Sequence, residues 1–452
     1  MADLIFRHLV LVCVMCWPAV VHSTEYINQK APVSAADIES PIEISFKEED
    51  ERDERRLLSG LGDRLSDLAP FWSDSDLRYA LRAFSFDRRD SSEAKARAQT
   101  VGGRLEYESG WWRNLRLKAG WYGSWQIDTK KDGGDTGLLA PGQEDIQVWG
   151  EANLQYRFDS TPLKDSRVTL YRQSLSLPFI NQNDIRMLPV THQGIVLTRE
   201  GEPSLDYVIG HLTKVKNFDS EEFVHMSRAA GASGTDKGVT LVGMRPFKSD
   251  TLTFGAINLV GWDTFNTAFA EATYHKAFDR GLDLRLSGQV TDQRSVGDEL
   301  VGDFDTRHAA LQTAFGWRGM VLKLAGSVTD DEAAIRRPWG GSPSYLYLSR
   351  LDFDRAGEKA VLFGISYNPE QFSSLGLSGF IDIAHGVDAR DPLTGAQLPD
   401  QTEYDLTIDF KPPRGVLKGF WLRLRGVWLD IDGDNNTPRD YRVILNYEIP
   451  LL

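Results

Sequence analysis

Cysteine is almost absent from this 452-residue chain, and its two copies lie close together near the N-terminus. Cys13 and Cys16 fall inside an apolar stretch, Leu4–Val21, which has one arginine near its start and is followed by the small residue Ser23. This arrangement predicts a secretory signal peptide over residues 1–23, cleaved after Ser23. The mature chain is then expected to contain neither a thiol nor a disulfide.

A long apolar run is also absent once the signal ends. Only helices and closed barrels satisfy every backbone hydrogen bond in lipid, so a mature chain that crosses a membrane must do so as a closed β-barrel. The formal net charge of −14, from 51 Lys and Arg against 65 Asp and Glu, argues against a nucleic-acid partner. Nothing after the signal resembles a domain linker, which favours one large domain.

Catalytic and metal-binding motifs are missing as well. The sequence has no Gly-x-Ser-x-Gly, His-Glu-x-x-His or Walker lysine motif, and two of its eight histidines fall in the signal. Asp430, Asp432, Asp434 and Asn435 resemble half of a calcium loop, but Tyr441 stands where the bidentate acid belongs. We therefore expect no enzyme, no cofactor and no dedicated metal site. Loose binding of calcium by the acidic run, as part of a solvated outer loop, remains an alternative.

What the sequence does contain is a period of two. Segments of about ten residues alternate apolar and polar side chains, as strands do when one face meets lipid and the other a lumen. Tyr404, Leu406 and Ile408, for example, alternate with Asp405 and Thr407. Eighteen such strands are predicted, at 76–87, 98–110, 114–125, 147–158, 166–175, 192–199, 203–212, 238–248, 250–259, 265–277, 281–292, 306–317, 319–328, 359–368, 376–386, 402–411, 418–431 and 439–449.

The lengths of the connections separate a membrane barrel from a soluble sandwich. Short gaps mostly alternate with long ones, and outer-membrane barrels have short periplasmic turns and long outer loops. The predicted fold is therefore all-β, a transmembrane antiparallel barrel of about 18 strands over residues 76–452. The longest connections fall at 126–146, 176–191, 213–237, 293–305, 329–358 and 387–401.

Residues 24–75 form a predicted periplasmic N-terminal extension, partly helical or disordered. The charged stretch Lys47–Arg56 indicates a polar helix or a flexible arm. Helical spacing of leucines then predicts an amphipathic piece, with Leu57, Leu58, Leu61, Leu65 and Leu68. A pore plug, a contact to a periplasmic partner and a solvated tail remain alternative roles.

Arginines cluster where a closed barrel would join its ends. If the first strand pairs with the last, the inward faces of the first, seventeenth and eighteenth strands form one wall. Side chains two residues apart on it lie about 7 Å apart, so stacked guanidinium groups could attract carboxylates and pass them along. The alternative is that they pair with the acidic sixteenth strand (Glu403, Asp405 and Asp409), and both roles can coexist. The basic wall comprises Arg78, Arg82, Arg423, Arg425 and Arg442.

Several segments, in order along the chain, resemble OprD-type porins. The most specific is Leu177–Pro189, with its Asp-Ile-Arg-Met-Leu-Pro ending, followed by Thr191–Gly194. The others are Asp76–Arg89, Gly134–Pro141, Gly210–Val215, Tyr345–Lys359 and Leu417–Arg425. The resemblance implies an eighteen-stranded monomeric barrel, a pore narrowed by inward-folded loops, and an arginine ladder that guides carboxylate-bearing solutes.

The same resemblance implies where the pore is narrowest. The third outer loop, Ser176–Thr191, would help to form the constriction, and the seventh loop is a second candidate. The candidate lining residues are Asn181, Asn183, Asp184 and Arg186 in the third loop, and Tyr345, Tyr347, Arg350 and Asp352 in the seventh.

The predicted function is passive, substrate-selective diffusion of small carboxylate-bearing solutes, such as amino acids or organic acids, across the outer membrane of a Gram-negative bacterium. The alternatives are a channel for sugars or oligosaccharides, and an outer-membrane or secreted β-protein without a pore. Expected partners are small anionic solutes, outer-membrane lipid and lipopolysaccharide, and the barrel assembly machinery. A monomer is expected, with a weak trimer as the alternative.

Overall fold

The computed structural model describes residues 57–92, 94–130, 135–199, 206–246, 249, 251–368, 375–414 and 417–452. Within these residues the chain forms eighteen antiparallel barrel strands, and each of the eighteen predicted segments overlaps one of them. The strands are β1 Asp76–Arg89, β2 Lys95–Glu108, β3 Leu115–Lys130, β4 Ile146–Arg157, β5 Ser166–Gln173, β6 Thr191–Arg199, β7 Asp206–Lys216, β8 Val239–Arg245, β9 Leu252–Gly261, β10 Phe265–Phe278, β11 Leu282–Ser295, β12 Asp305–Trp317, β13 Met320–Thr329, β14 Lys359–Tyr367, β15 Leu377–Val387, β16 Gln401–Phe410, β17 Phe420–Ile431 and β18 Arg439–Pro450.

The barrel closes between its first and last strands. β1 pairs with β18 from Arg78 opposite Pro450 to Arg89 opposite Arg439. The predicted all-β barrel, its strand number and this closure are confirmed. The predicted signal peptide, residues 1–23, lies outside the described residues.

Connections divide the barrel into a loop end and a turn end. Nine loops, numbered 1–9 along the chain, lie at one end, and eight turns and both ends of the described chain lie at the other. A tight example is the β12–β13 turn, where Arg318 and Gly319 adopt φ values of 49° and 76°, the left-handed pair of a two-residue hairpin turn. Because outer-membrane barrels carry their long loops outside, the loop end is the external end.

The two faces of the strands are the reverse of those of a water-soluble protein. On β15, Ile381 faces outward and is 44% exposed, while its neighbour Asp382 faces inward and is 7% exposed. The same alternation places Leu406 outward and Asp405 inward on β16. An apolar outer surface around a polar interior is stable only against lipid. Among the described residues, no helix is both long enough and apolar enough to span a bilayer.

Among the described residues, three short α-helices accompany the barrel: α1 Ser59–Ser66, α2 Pro70–Ser73 and α3 Met226–Ala229. The segment that carries α1 is tied to the end of β18, since the Leu58 amide donates to the Leu451 carbonyl at 2.9 Å. The predicted amphipathic leucines therefore fall on and around a helix at the turn end. The charged stretch Lys47–Arg56 lies outside the described residues.

Candidate functional site

Loop 3 (174–190) folds into the barrel. It contains a small hairpin with strands Ser176–Leu177 and Ile180–Asn181. Phe179 at its tip is buried, and its ring meets the ring of Phe269 on β10 edge-on, with 6.1 Å between centroids. Apolar packing of this hairpin thus fixes one side of loop 3 to the inner wall of β10.

Arg82 on β1 holds the other side of loop 3. Its Nη1 and Nη2 donate to the two Asp184 carboxylate oxygens, at 2.6 and 2.9 Å, and Nη1 also donates to the Arg186 carbonyl at 2.5 Å. Nε donates to Asn446 Oδ1 on β18 at 2.7 Å. β1 and β10 are nine strands apart in an eighteen-stranded barrel, so loop 3 crosses the lumen from one wall to the opposite one.

Loop 7 (330–358) is bound to loop 3. The Asn181 side-chain amide donates to the Gly341 carbonyl at 3.0 Å, and the Gly341 amide donates back to Asn181 Oδ1 at 2.8 Å. The Tyr347 hydroxyl donates to Asn183 Oδ1 at 3.4 Å. Asn181 and Asn183 are buried, and their polar atoms hold the two loops together.

The acidic strand β16 fixes a turn of loop 7. The Glu403 carboxylate accepts from the backbone amides of Arg350 and Leu351, at 2.9 and 2.6 Å. Asp405 accepts from the Ser349 hydroxyl at 2.5 Å. Two of the three strand carboxylates considered as arginine partners therefore bind loop 7. The remaining loop 7 candidates also have partners: the Arg350 side chain with Asp440 at 3.1 Å, the Tyr345 hydroxyl with Glu271 at 2.7 Å, and Asp352 with Arg337.

A small cavity lies between loop 3 and the seam where β1, β17 and β18 meet. Its volume is about 30 Å³, room for about two water molecules. Four of the five predicted wall arginines converge on it and are joined by one arginine of loop 3, whereas Asp184 is its single lining carboxylate. The cavity arginines are Arg82, Arg186, Arg423, Arg425 and Arg442.

These five arginines differ in their partners. Arg423 forms a two-pronged pair with Asp409, with bonds of 2.7 and 2.8 Å, and Arg442 donates to Asp440 at 2.8 Å. Arg425 donates instead to the hydroxyls of Thr407 and Ser349, at 2.8 and 3.0 Å, and these are its hydrogen-bond partners among the described residues. The Arg425 charge is thus held in place by neutral groups.

Arg186 is held in the same way. Its Nε donates to the Thr136 carbonyl at 3.1 Å and its Nη1 to the Ile185 carbonyl at 3.0 Å. Burial, followed by repulsion from Arg442 and Arg88, lowers the pKa of Arg186 to about 9, so its guanidinium stays charged at neutral pH.

Arg78 does not join the cavity. It pairs with Asp76 at 2.6 Å, at the turn end of β1. The sequence analysis did not predict two residues that help to hold the cavity arginines, Asn446 and Ser349. Asn446 shares the inward face of β18 with Arg442, so strand alternation could have identified it, whereas nothing in the sequence marks Ser349.

Comparison with known proteins adds a family and a set of similar folds. A family model described as outer membrane porin, OprD family, matches residues 69–451. No curated protein sequence matches the chain significantly.

Several solved structures share the fold. OccK9 (OpdG) of Pseudomonas aeruginosa superposes with a TM-score of 0.76 at 20% identity, covering 85% of this chain and all of the other. OpdK of the same species, solved with vanillate, gives 0.75 at 16% identity, with coverage of 84% and 100%. OccAB2 of Acinetobacter baumannii gives 0.75 at 18% identity, with coverage of 85% and 100%.

Proposed function

The chain belongs to the OprD family of outer membrane porins, and from that premise we propose that it conducts small carboxylate-bearing solutes past the arginine cavity. One observation carries the proposal: five guanidinium groups and one carboxylate line the same small cavity. Guanidinium groups bind carboxylates through paired, charge-assisted hydrogen bonds, and their attraction is strongest where water is scarce.

Within the cavity, Arg425 and Arg186 are the groups that would receive the solute. Arg82, Arg423 and Arg442 each bind a carboxylate of the protein. Arg425 and Arg186 bind hydroxyls and carbonyls, which orient a guanidinium without neutralising it. A passing carboxylate would supply the missing negative charge while Asp184, Asp409 and Asp440 keep the other arginines in position.

The solute class also suits the surroundings. Phe86 on β1 lies beneath the guanidinium groups of Arg186 and Arg442, 5.3 and 5.0 Å from its ring centroid. The relative OpdK was solved with vanillate, a small aromatic carboxylate. An aromatic stripe along the lumen would favour a sugar, but the inward aromatics Phe84, Phe86 and Tyr122 pack in one cluster with loop 2 and loop 3 residues.

Planar-bilayer recording across a salt gradient tests this proposal. The parent channel should show an anion-preferring reversal potential. Arg425→Gln and Arg186→Gln should each shift that potential toward zero, because each removes a guanidinium charge whose hydrogen bonds, among the described residues, go to neutral hydroxyls and carbonyls. Arg78→Gln is the control, since it removes the same charge from a pair with Asp76 outside the cavity.

A vesicle-swelling assay distinguishes a carboxylate channel from a sugar channel. Vesicles that contain the parent should swell faster in small aromatic or aliphatic carboxylates than in neutral sugars of similar size, and Arg425→Gln should remove the difference. A reversal potential that Arg425→Gln and Arg186→Gln leave unchanged would refute a role for these two arginines.

A further inference from the structure

An apolar helix face is exposed at the turn end of the barrel, on the segment that leads into β1 (the arm, residues 57–75). Leucines spaced three and four residues apart lie on one side of α1 and of the residues that flank it: Leu58, Leu61, Leu65 and Leu68. Leu61 is 44% exposed, as much as Ile381 on the lipid-facing surface. A helix of eight residues is marginal in water unless its apolar face is buried, so this leucine face needs a partner.

The other side of α1 is polar. With 3.6 residues per turn, Asp63 and Asp67 lie across the helix axis from the leucines. Gly60 lies on the same polar side, and an added Cβ there meets no atom within 4 Å. Helices with one apolar and one charged side typically lie in the plane of a membrane interface, with the apolar side buried toward the acyl chains. The residue pattern of α1 fits such a position.

Hydrogen bonds fix both ends of the arm to the rim of the barrel. The amides of Leu57–Leu58 donate to the carbonyls of Pro450–Leu451, at 3.2 and 2.9 Å, where β18 ends. At the other end, the Gly110 amide in the β2–β3 turn donates to the Phe71 carbonyl at 3.1 Å. A side chain at Gly110 would collide with the Pro70 carbonyl oxygen, so glycine allows this contact. The arm therefore extends from β18 to the β2–β3 turn and is held at the rim at both ends.

Aromatic side chains mark the depth of this rim in the bilayer. Tyr79 on β1 faces outward opposite Ile449 on β18, and Tyr107 faces outward on β2. Aromatic girdles of membrane barrels lie at the boundary between hydrocarbon and water. Pro450–Leu451 follow Ile449 at about 3 and 7 Å along the chain, and the headgroup layer is about 5–7 Å thick on each side of the bilayer. The arm thus joins the barrel within that layer.

We propose that the arm is anchored in the headgroup layer of the periplasmic leaflet and that phospholipid covers its leucine face. The leucines point toward the acyl chains, while Asp63 and Asp67 stay in contact with water. Trp72 on α2 and Trp112 in the β2–β3 turn are exposed at the same rim, where an indole ring suits a boundary between apolar and wet surroundings. Lipid, and not a protein, is the occupant, because the leucine face lies at girdle depth and continues the lipid-facing surface of the barrel.

Spin labelling of residues 24–452, folded into phosphatidylcholine vesicles, tests the proposal. Cys13 and Cys16 precede this segment, so an introduced cysteine is its only thiol. Labels at L61C and L68C should collide more often with oxygen, which concentrates in lipid, than with a water-soluble nickel complex. L424C on the outward face of β17 is the lipid reference, and L393C in loop 8 is the water reference. Arm labels with the L393C ratio of collisions would overturn the proposal.

A charge placed on either side of α1 tests which face meets the lipid. Leu61→Asp should shift the L68C ratio toward that of L393C, because the leucine face then carries a charge. Gly60→Asp is the matched control, since it adds the same charge on the polar side in open space, and it should leave the ratio unchanged. L424C should keep its lipid-like ratio in both variants, which shows that the barrel is still inserted. Equal shifts of L68C in the two variants would also refute the proposed orientation.

The same labels distinguish lipid from other occupants. Spin–spin broadening at L61C that disappears on dilution with unlabelled protein would place a second copy on the leucine face. Low collision rates with both reagents that rise after deletion of residues 24–46 would assign the face to the chain's own N-terminal segment. Either result would overturn the assignment to phospholipid. The proposal predicts no broadening and no effect of the deletion.

Discussion

The arginines of the pore carry the same charge, but they differ in the groups to which each guanidinium donates its hydrogen bonds. Arg423 and Arg82 are bonded to carboxylates and so contribute to architecture. Arg425 and Arg186 are bonded to hydroxyls and carbonyls and so keep a local excess of charge. The surroundings of an acid matter in the same way. Asp354 in loop 7 is buried, and its carboxylate accepts a hydrogen bond from Arg337 Nη1 at 2.7 Å.

Asp354 should make anion selectivity depend on pH. Burial raises its pKa to about 6, against the opposing pull of Arg337, so the carboxyl is ionised at pH 7.5 and neutral at pH 5. Protonation removes one negative charge from loop 7 and leaves Arg337 less compensated, so the preference for anions should rise as the pH falls through about 6. Reversal potentials recorded between pH 7.5 and pH 5 measure this rise.

Two variants identify the titrating group. Asp354→Asn should remove the pH dependence, because its side chain is neutral throughout. Asp391→Asn in loop 8 should retain it, since backbone amides of Thr394 and Leu393 lower the pKa of Asp391 and keep it ionised over this range. A pH response that survives in Asp354→Asn would show that another group titrates.

Among the elements, strands and loops differ in how far the sequence predicts them. Each strand carries its own period of two, so a local pattern is enough to predict all eighteen strands and the inward position of Arg82, Arg423 and Arg442. Loop contacts have no period. Asn181 and Gly341 are 160 residues apart, and the sequence alone could not show that they bind each other. The seam cavity was therefore predictable as a basic wall, but the partners that divide its arginines into two groups were not.

Loop 3 depends on its clamp at β1. Asp184→Asn should loosen the loop by weakening its bonds to Arg82, and breaking a buried ion pair costs about 3 kcal/mol. Single-channel recordings should show a larger and noisier conductance. Asp382→Asn is matched in charge, because Asp382 also faces the lumen and pairs with Lys323 at 3.0 Å, but within the described residues it has no hydrogen bond or ion pair to a loop. If Asp382→Asn raises the conductance equally, then charge and not the clamp accounts for the change.

For the molecule as a whole, the apolar outer surface means that the barrel is stable only when lipid surrounds it. Apolar side chains such as Ile381, Leu406 and Leu424 lie outward, while carboxylates and guanidinium groups fill the interior. Loops 3 and 7 then narrow this polar interior. Contact with lipid stabilises the outer face of the strands, and the proposed selectivity depends on the polar groups that the strands enclose.

Replacing one outward residue should measure the contribution of lipid contact. Ile381→Arg, near the middle of β15, should destabilise the barrel by about 2–4 kcal/mol, the cost of an arginine near the bilayer midplane. Leu393→Arg in loop 8 is the control, since Leu393 is 95% exposed beyond the strands and should tolerate the change. Urea unfolding in vesicles, followed by tryptophan fluorescence, compares the two, and equal stabilities would contradict the proposed depth of Ile381.

The seam between β1 and β18 also affects the order in which contacts form during folding. Arg82 and Asn446, which meet across it, are 364 residues apart, and contacts of such separation form late in folding. Until β18 arrives, β1 keeps an unpaired edge that can recruit other chains. The arginine cavity is lined by β1, β17 and β18, so it does not exist in the open sheet. The pairing of β18 with β1 therefore completes both the barrel and the cavity on which the proposed selectivity depends.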